Sequence, residues 1–167
     1  MRNLENLDVC TKETEVLGLY ETELPKSFYS RLSELGLCAK NQRVLDIETG
    51  SGVIACELAK RDCLVDGVDS SSNQIERAKM IAKWDMLNVN FKACPIEELD
   101  FSSNSFDVVI ACKCFSKIKS KDSIHEIMRV LDTGGHLVIP VLDWSLKGNV
   151  FLTKLEGLIE KLNLTHG

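Results

Sequence analysis

The residues of this chain best suited to chemistry are two carboxylates and two glycines: Asp46, Gly50, Gly52 and Asp69. Asp46 sits in a short apolar run, Val44-Leu45-Asp46-Ile47, and the turn Thr49-Gly50-Ser51-Gly52 follows. Glycine has no Cβ and tolerates positive φ, so such a turn lets the backbone pass close to a ligand. Val53, Ile54, Ala55, Leu58 and Ala59 then recur at helical spacing, and the start of that helix would aim its N–H groups at the same spot. Asp69 comes seventeen residues after Gly52, at the end of a second apolar run. A carboxylate there accepts hydrogen bonds from ribose hydroxyls. Gly50-x-Gly52-x-x-Ala55 with Asp69 satisfies a dinucleotide fingerprint, but the same geometry serves another class of nucleoside cofactor.

Other chemistries find less support. The three histidines, His125, His136 and His166, share no metal-ligand spacing with the cysteines or with each other. No Ser/His/Asp or Cys/His arrangement falls at a predicted strand end, so covalent catalysis is not indicated and no catalytic residue is named. Cys112 and Cys114 bracket Lys113 and read as small buried hydrophobes. Lys113, Lys117, Lys119 and Lys121 crowd the segment after the fourth predicted strand. A solvated loop is the plain reading, and steering of an anionic substrate the alternative. Asp143 and Trp144, just past strand five, lie on the side of the sheet where a substrate would bind.

These residues need a scaffold, and hydrophobic periodicity supplies one. Pro25 opens a helix whose apolar stripe is Phe28, Leu32, Leu35 and Tyr29, closed by Gly36. It is expected to lean on the sheet edge or over the cofactor mouth, with Tyr20 just upstream. Strands are predicted at 44–47, 64–68, 89–93, 106–111 and 136–141. Helices are predicted at about 52–60, from Ser71 to Lys83, at about 122–131 and at about 150–162, with a helical turn at 96–99. Ser71 and Gln74 have the spacing of a capping box. Ile75, Ala78, Ala82 and either Met80 or Ile81 should face inward from the second of these helices. Ile124, Ile127, Met128 and Leu131 should do so from the third. Gly134-Gly135 should stop that helix and open strand five. The last helix carries Phe151, Leu155, Leu158, Ile159 and Leu162 on one face. Alternation at this spacing implies an α/β fold, three-layered and doubly wound on a mostly parallel sheet.

The bounds agree. The 167 residues suffice for one domain with a core, and 44% hydrophobic with 27% charged is an ordinary globular balance. The expected organisation is one domain over 1–167: an arm and helix to 40, a cofactor-binding core over 41–142 and a C-terminal helix over 143–167. A net charge of −5 argues against a nucleic-acid partner. No apolar run has the length of a membrane span, and the N-terminus lacks the apolar centre of a signal peptide. Seven cysteines without a CxxC pair point to reduced thiols, hence a cytoplasmic protein with no membrane partner.

Several segments fall in one order: Asp46-x-x-x-Gly50-x-Gly52, Gly67-Val68-Asp69, Asn104-Ser105-Phe106-Asp107-Val108-Val109, and Arg129-Val130-Leu131-x-x-Gly134-Gly135-x-Leu137-x-Ile139. In this the chain resembles the class I S-adenosylmethionine-dependent methyltransferases, in particular the small-molecule branch, over about residues 40–142. The resemblance implies a Rossmann-like methyltransferase fold and methyl transfer from S-adenosyl-L-methionine to a small-molecule acceptor by in-line displacement. S-adenosyl-L-homocysteine is then the product. It places Asp46, Gly50 and Gly52 near the methionine end of the cofactor and Asp69 on both ribose hydroxyls. Ser70 would stand against the adenine and the segment Ala93-Cys94-Pro95-Ile96 at its edge. Ala111 and Cys112 would line the methyl-transfer mouth.

The chain departs from that pattern in four places. Glu48 stands where the family has glycine. A second carboxylate beside the cofactor's own would repel it by about 1 kcal/mol at 4 Å in water and about 4 at an effective dielectric of 20. A Glu48 turned toward the cofactor's ammonium would offset this. Pro95 replaces an acid at the adenine edge and has no N–H. Ser70 offers less apolar surface than the usual aliphatic residue. The fold is expected to be C-terminally shortened, leaving strand five as an edge that the last helix covers or where two chains pair as a homodimer. Glu48 and Pro95 sustain an alternative function, a catalytically silent methyltransferase-like binding or partner protein.

Overall fold

A computed structural model of the chain describes residues 24–112, 114, 118 and 120–140. Helix α1 (Lys26–Glu34) leads into β1 (Arg43–Ile47), α2 (Val53–Ala59), β2 (Leu64–Asp69), α3 (Ser72–Trp84) and β3 (Val89–Ala93). A 3-10 turn (Ile96–Glu98), β4 (Phe106–Ala111), α4 (Lys121–Val130) and β5 (Leu131–Val138) complete the described elements. The five strands form one parallel sheet in the order β3-β2-β1-β4-β5. The chain winds outward from β1 to β3, then returns to lay β4 on the other side of β1. The order therefore reverses between β1 and β4, and ligands bind outside the carboxyl ends of the strands at such a point.

Alternation within the strands sorts the core into two layers. Val44, Val65, Phe91, Val108 and Ile110 pack with α1, α2 and α3 on one face. Leu45, Ile47, Val68, Val109 and Ala111 pack on the other with Ile96, Ile127 and Val130. The three-layer, doubly wound arrangement is the one the periodicity implied. No helix among the described residues is long and apolar enough to cross a membrane.

Side-chain placement corrects several expectations. Helix α1 lies in the core layer with α2 and α3 rather than at a sheet edge. Its buried residues are Tyr29 and Leu32, whereas Leu35 falls past the helix end and is exposed. Burial pushes the Tyr29 phenol up to about 12, and the Arg61 guanidinium lies 4.8 Å from its ring centroid. On α3, Ile75, Ala78 and Ala82 face in as expected, but Met80 and Ile81 are exposed. Two alanines on the inner stripe let the helix sit close to the sheet, which turns its larger apolar residues outward.

Helix α4 is rotated relative to its expected face. Ser123, Ile127 and Val130 are buried, and Ile124 and Met128 are exposed. A serine occupies a core position because the Glu97 carboxylate accepts from its hydroxyl at 2.6 Å. The helix also ends differently. Asn104 and Ser105 donate their backbone N–H groups to the carbonyls of Arg129 and Val130, at 3.0 and 2.8 Å. The chain then passes from Val130 directly into β5 at Leu131, earlier than the expected start at His136. Gly134-Gly135 forms a bulge instead of a stop: Phe106 pairs with Leu131, but Val108 pairs with His136. A Cβ on Gly135 would lie 2.9 Å from the Asp132 carbonyl oxygen and 3.0 Å from that of Asp107. The C-terminal helix predicted at 150–162 lies outside the described residues, as do Tyr20, Asp143 and Trp144.

Arg43 fastens the amino end of the sheet. Its guanidinium reaches Asp107 at 2.7 Å and Asp132 at 2.8 Å, and its backbone N–H donates to Asp107 at 2.7 Å. This joins β1, β4 and the β5 bulge. The hydrogen bonds from Arg43 hold the Asp107 carboxyl below the usual carboxylate range. Its contribution to stability is present above the unfolded value, about 3.9, and is lost as pH falls through the lower folded value. Arg43→Met is expected to lower the melting temperature at pH 7, and the gap from wild type should close as pH falls below about 4. Melting curves from pH 7 to 3 check this; a gap constant with pH would contradict it.

Candidate functional site

Asp46, Glu48, Gly50, Gly52, Asp69, Ser70, Cys94, Pro95 and Ala111 lie toward the carboxyl end of the sheet, on β1, β2 and β4 or the loops that leave β1, β2 and β3. Asp69 links those loops. One carboxylate oxygen accepts from the Gly50 N–H at 2.9 Å and the other from the Ser71 N–H at 2.8 Å. Its carbonyl accepts from the Cys94 N–H at 3.0 Å. One residue thus ties together the turns after β1, β2 and β3. Each carboxylate oxygen has about two acceptor sites, so each keeps capacity for a further donor. At 6% exposure the group is nearly enclosed.

Asp46 is more enclosed still, at 1% exposure. Its Oδ2 accepts from the Thr49 hydroxyl at 2.6 Å, and the Thr49 N–H donates to the Val68 carbonyl at 2.9 Å. Asp46 therefore braces the turn from beneath. The turn has an alternating backbone, with positive φ at residue 48 (54°), residue 50 (57°) and residue 52 (80°). Two of these are glycine and the third is Glu48, which is half-buried. A Cβ in the left-handed region costs roughly 1–2 kcal/mol.

Phe91 of β3 explains two glycines and carried no sequence signal beyond being the aromatic of its strand. A Cβ on Gly52 would lie 2.7 Å from the Phe91 ring, and one on Gly67 would lie 2.6 Å from it. The ring fills the space that both glycines leave open, beneath the turn and under β2.

The remaining candidates are placed less simply. Ser71 caps α3, accepting from the Gln74 N–H at 3.4 Å, but the capping box is only half made. Asp69 takes the Ser71 N–H, and the buried Gln74 Oε1 has no partner among the described residues. Ser70 and Pro95 are exposed and Cys94 is half-buried. The Cys94 N–H is engaged by Asp69 and Pro95 has none, so the next backbone donor along this edge is Ile96. Ala111 is fully buried. Cys114 is buried, as its reading as a small hydrophobe expected, and Cys112 is half-buried. Lys121 opens α4, and Lys113, Lys117 and Lys119 lie outside the described residues. No cluster of three or more metal-ligating side chains occurs among the described residues.

A cavity of about 440 Å³ opens at the opposite, amino end of the sheet, lined in part by Lys40, Gln42, Asp107, Asp132 and His136. The pairing of Arg43 with Asp107 and Asp132 neutralises much of its charge. It holds none of the residues of the glycine turn.

Comparison with known proteins identifies the family. The Methyltransferase domain family matches residues 39–162, and the chain belongs to that family. The sheet is that of the Rossmann-like, S-adenosylmethionine-dependent members. A methyltransferase of this kind from Methanosarcina mazei superposes with a TM-score of 0.59 at 27% identity, over 71% of this chain and 57% of that one. Among sequence relatives, a ubiquinone/menaquinone biosynthesis C-methyltransferase of Geotalea daltonii is 33% identical over 60% of this chain and 46% of its own length. A ubiquinone biosynthesis O-methyltransferase of Pelagibacter ubique is 32% identical over 75% of this chain and 52% of its own. The chain spans about half the length of these relatives.

Two outcomes test the turn. Gly67→Ala should destabilise by about 1–3 kcal/mol through its clash with Phe91, and Phe91→Leu should recover part of that loss in the double variant. Additive losses in urea unfolding would refute the contact. Glu48→Gly should be more stable than Glu48→Ala by about 1 kcal/mol, because only glycine relieves the positive φ.

Proposed function

We propose that this chain binds S-adenosyl-L-methionine at the carboxyl ends of β1 and β2 and transfers its methyl group to a small molecule. The observation that carries the reading is the Asp69 carboxylate, fixed by two N–H groups from adjacent loops at 2.9 and 2.8 Å with acceptor capacity remaining. That donor–acceptor set fits the two hydroxyls of a ribose. The turn at residues 48–52, left-handed at every second residue, lies on the methionine side of such a nucleoside. Ser70 and the Cys94–Pro95 segment lie on the adenine side, and Asp46 holds the turn in place.

When bound, the cofactor would supply an activated methyl group on a sulfonium, which an electron pair of the acceptor would take in line, leaving the carbon–sulfur bonding pair on sulfur and releasing the acceptor's proton to solvent. The chain's part is to bind and orient, which can supply much of the rate in a displacement on so good an electrophile. The two relatives name a carbon and an oxygen acceptor, so we state the acceptor class as a small molecule. We further propose that the protein acts as a single domain in the cytoplasm, where a second copy pairs along β5, one of the two edge strands of the described sheet.

A second reading, a binding protein without catalysis, draws on the adenine edge. There the Cys94 N–H is already engaged by Asp69 and Pro95 offers no donor. Titration calorimetry with S-adenosyl-L-homocysteine separates the two. Micromolar binding, weakened roughly 10- to 100-fold in a folded Asp69→Asn variant, is expected from the loss of charged hydrogen bonds. No heat at millimolar ligand would overturn the cofactor reading.

A further inference from the structure

The outer face of α3 leaves large apolar side chains in solvent. Met80 is 70% exposed, Trp84 87% and Met86 92%. Trp84 follows Met80 by four residues, so the two stand one turn apart, on the side of α3 away from the buried Ile75, Ala78 and Ala82. Met86 extends the patch past the helix end. It takes a left-handed backbone, φ 52°, just after the C-cap, where glycine is the usual residue. Its own chain covers almost none of it, so the strain gains no packing within the fold. Grouped apolar surface of this kind marks a contact with another molecule.

The charges beside the patch say which molecule. Glu76 and Lys83 are both exposed and lie two helical turns apart, so they share one flank of α3 with Met80 between them. A second α3 laid antiparallel across this face, by a two-fold axis near Met80, sets Glu76 of each copy opposite Lys83 of the other. The same axis sets the two Met80 side chains together and each Trp84 over the second turn of the facing helix. Within one chain Glu76 meets Lys79 at 3.2 Å, an exposed pair that exchanges at little cost. A flank of one sign would call for a partner of the other sign. Opposite signs placed evenly about an apolar centre complement themselves. Independently of the cofactor reading, we propose that the outer face of α3 is an isologous interface with a second copy of this chain. It lies away from β5: α3 packs on β2 and β3, and β5 is at the other edge of the sheet, so neither contact blocks the other.

The test is sedimentation equilibrium of the full chain at low salt, from about 1 μM to about 1 mM. Wild type should halve its mass on dilution. Trp84→Glu should hold the halved mass throughout, with its melting temperature unchanged because the side chain is exposed. A contact along β5 contributes equally to every variant, so the halving itself reports on α3. Glu76→Lys and Lys83→Glu each bring like charges together twice across the axis and should weaken association by about tenfold. The double variant restores opposite signs and should recover most of that loss. A mass that Trp84→Glu leaves unchanged would overturn the proposal, and so would a double variant no better than the single ones. Wild type that keeps the monomer mass throughout, yet co-sediments with vesicles of anionic phospholipid through Trp84, would overturn it in favour of a lipid surface.

Discussion

The carboxylate of Asp69 is the interaction on which the carboxyl end of this structure depends. The turn leaving β1 is closed by Thr49, whose hydroxyl donates to Asp46 and whose carbonyl accepts from the Gly52 N–H. Asp69 fastens that turn to its neighbours, taking the Gly50 N–H on one oxygen and the Ser71 N–H on the other, while its carbonyl takes the Cys94 N–H. The acid proposed to grip a ribose therefore also shapes the crevice that would receive it. Folding and binding use different lone pairs of the same atoms, so the group can do both at once.

The two ends of the sheet solve opposite electrostatic problems. At the amino end, Asp107 and Asp132 lie near each other and Arg43 joins them, so charge there is locally cancelled and β1, β4 and β5 are stitched together. At the carboxyl end, the Asp69 carboxylate is held by N–H dipoles, which fix its position without neutralising it.

Packing sets how close the backbone may come. The Phe91 ring lies where a side chain at residue 52 or 67 would otherwise project, which makes both positions glycine for a reason internal to the protein. Glycine at residue 52 thus satisfies two demands together, a positive φ in the turn and close approach to an aromatic ring. Two small residues, Ala78 and Ala82, bring α3 down over the same ring's strand and close that face of the core.

The alternation of short apolar runs with helical stripes was enough to define a parallel, doubly wound sheet, and the spacing from Gly50 to Asp69 was enough to locate the turn and its acid. Such features are local: a strand or helix period repeats within a dozen residues, and a glycine turn is read from its own composition. What the tertiary structure decided depends on contacts between residues far apart in the chain. Ser123 entered the core and Met128 left it because Glu97, twenty-six residues earlier, accepts from the serine hydroxyl. Helix α4 stopped at Val130 because Asn104 and Ser105 cap it from another loop, leaving the glycine pair to form a bulge in β5. The engagement of the Cys94 N–H by Asp69 follows from the register of β3 on β2. Periodicity specifies which elements form; which side chains meet is set by register and by partners that no local window contains.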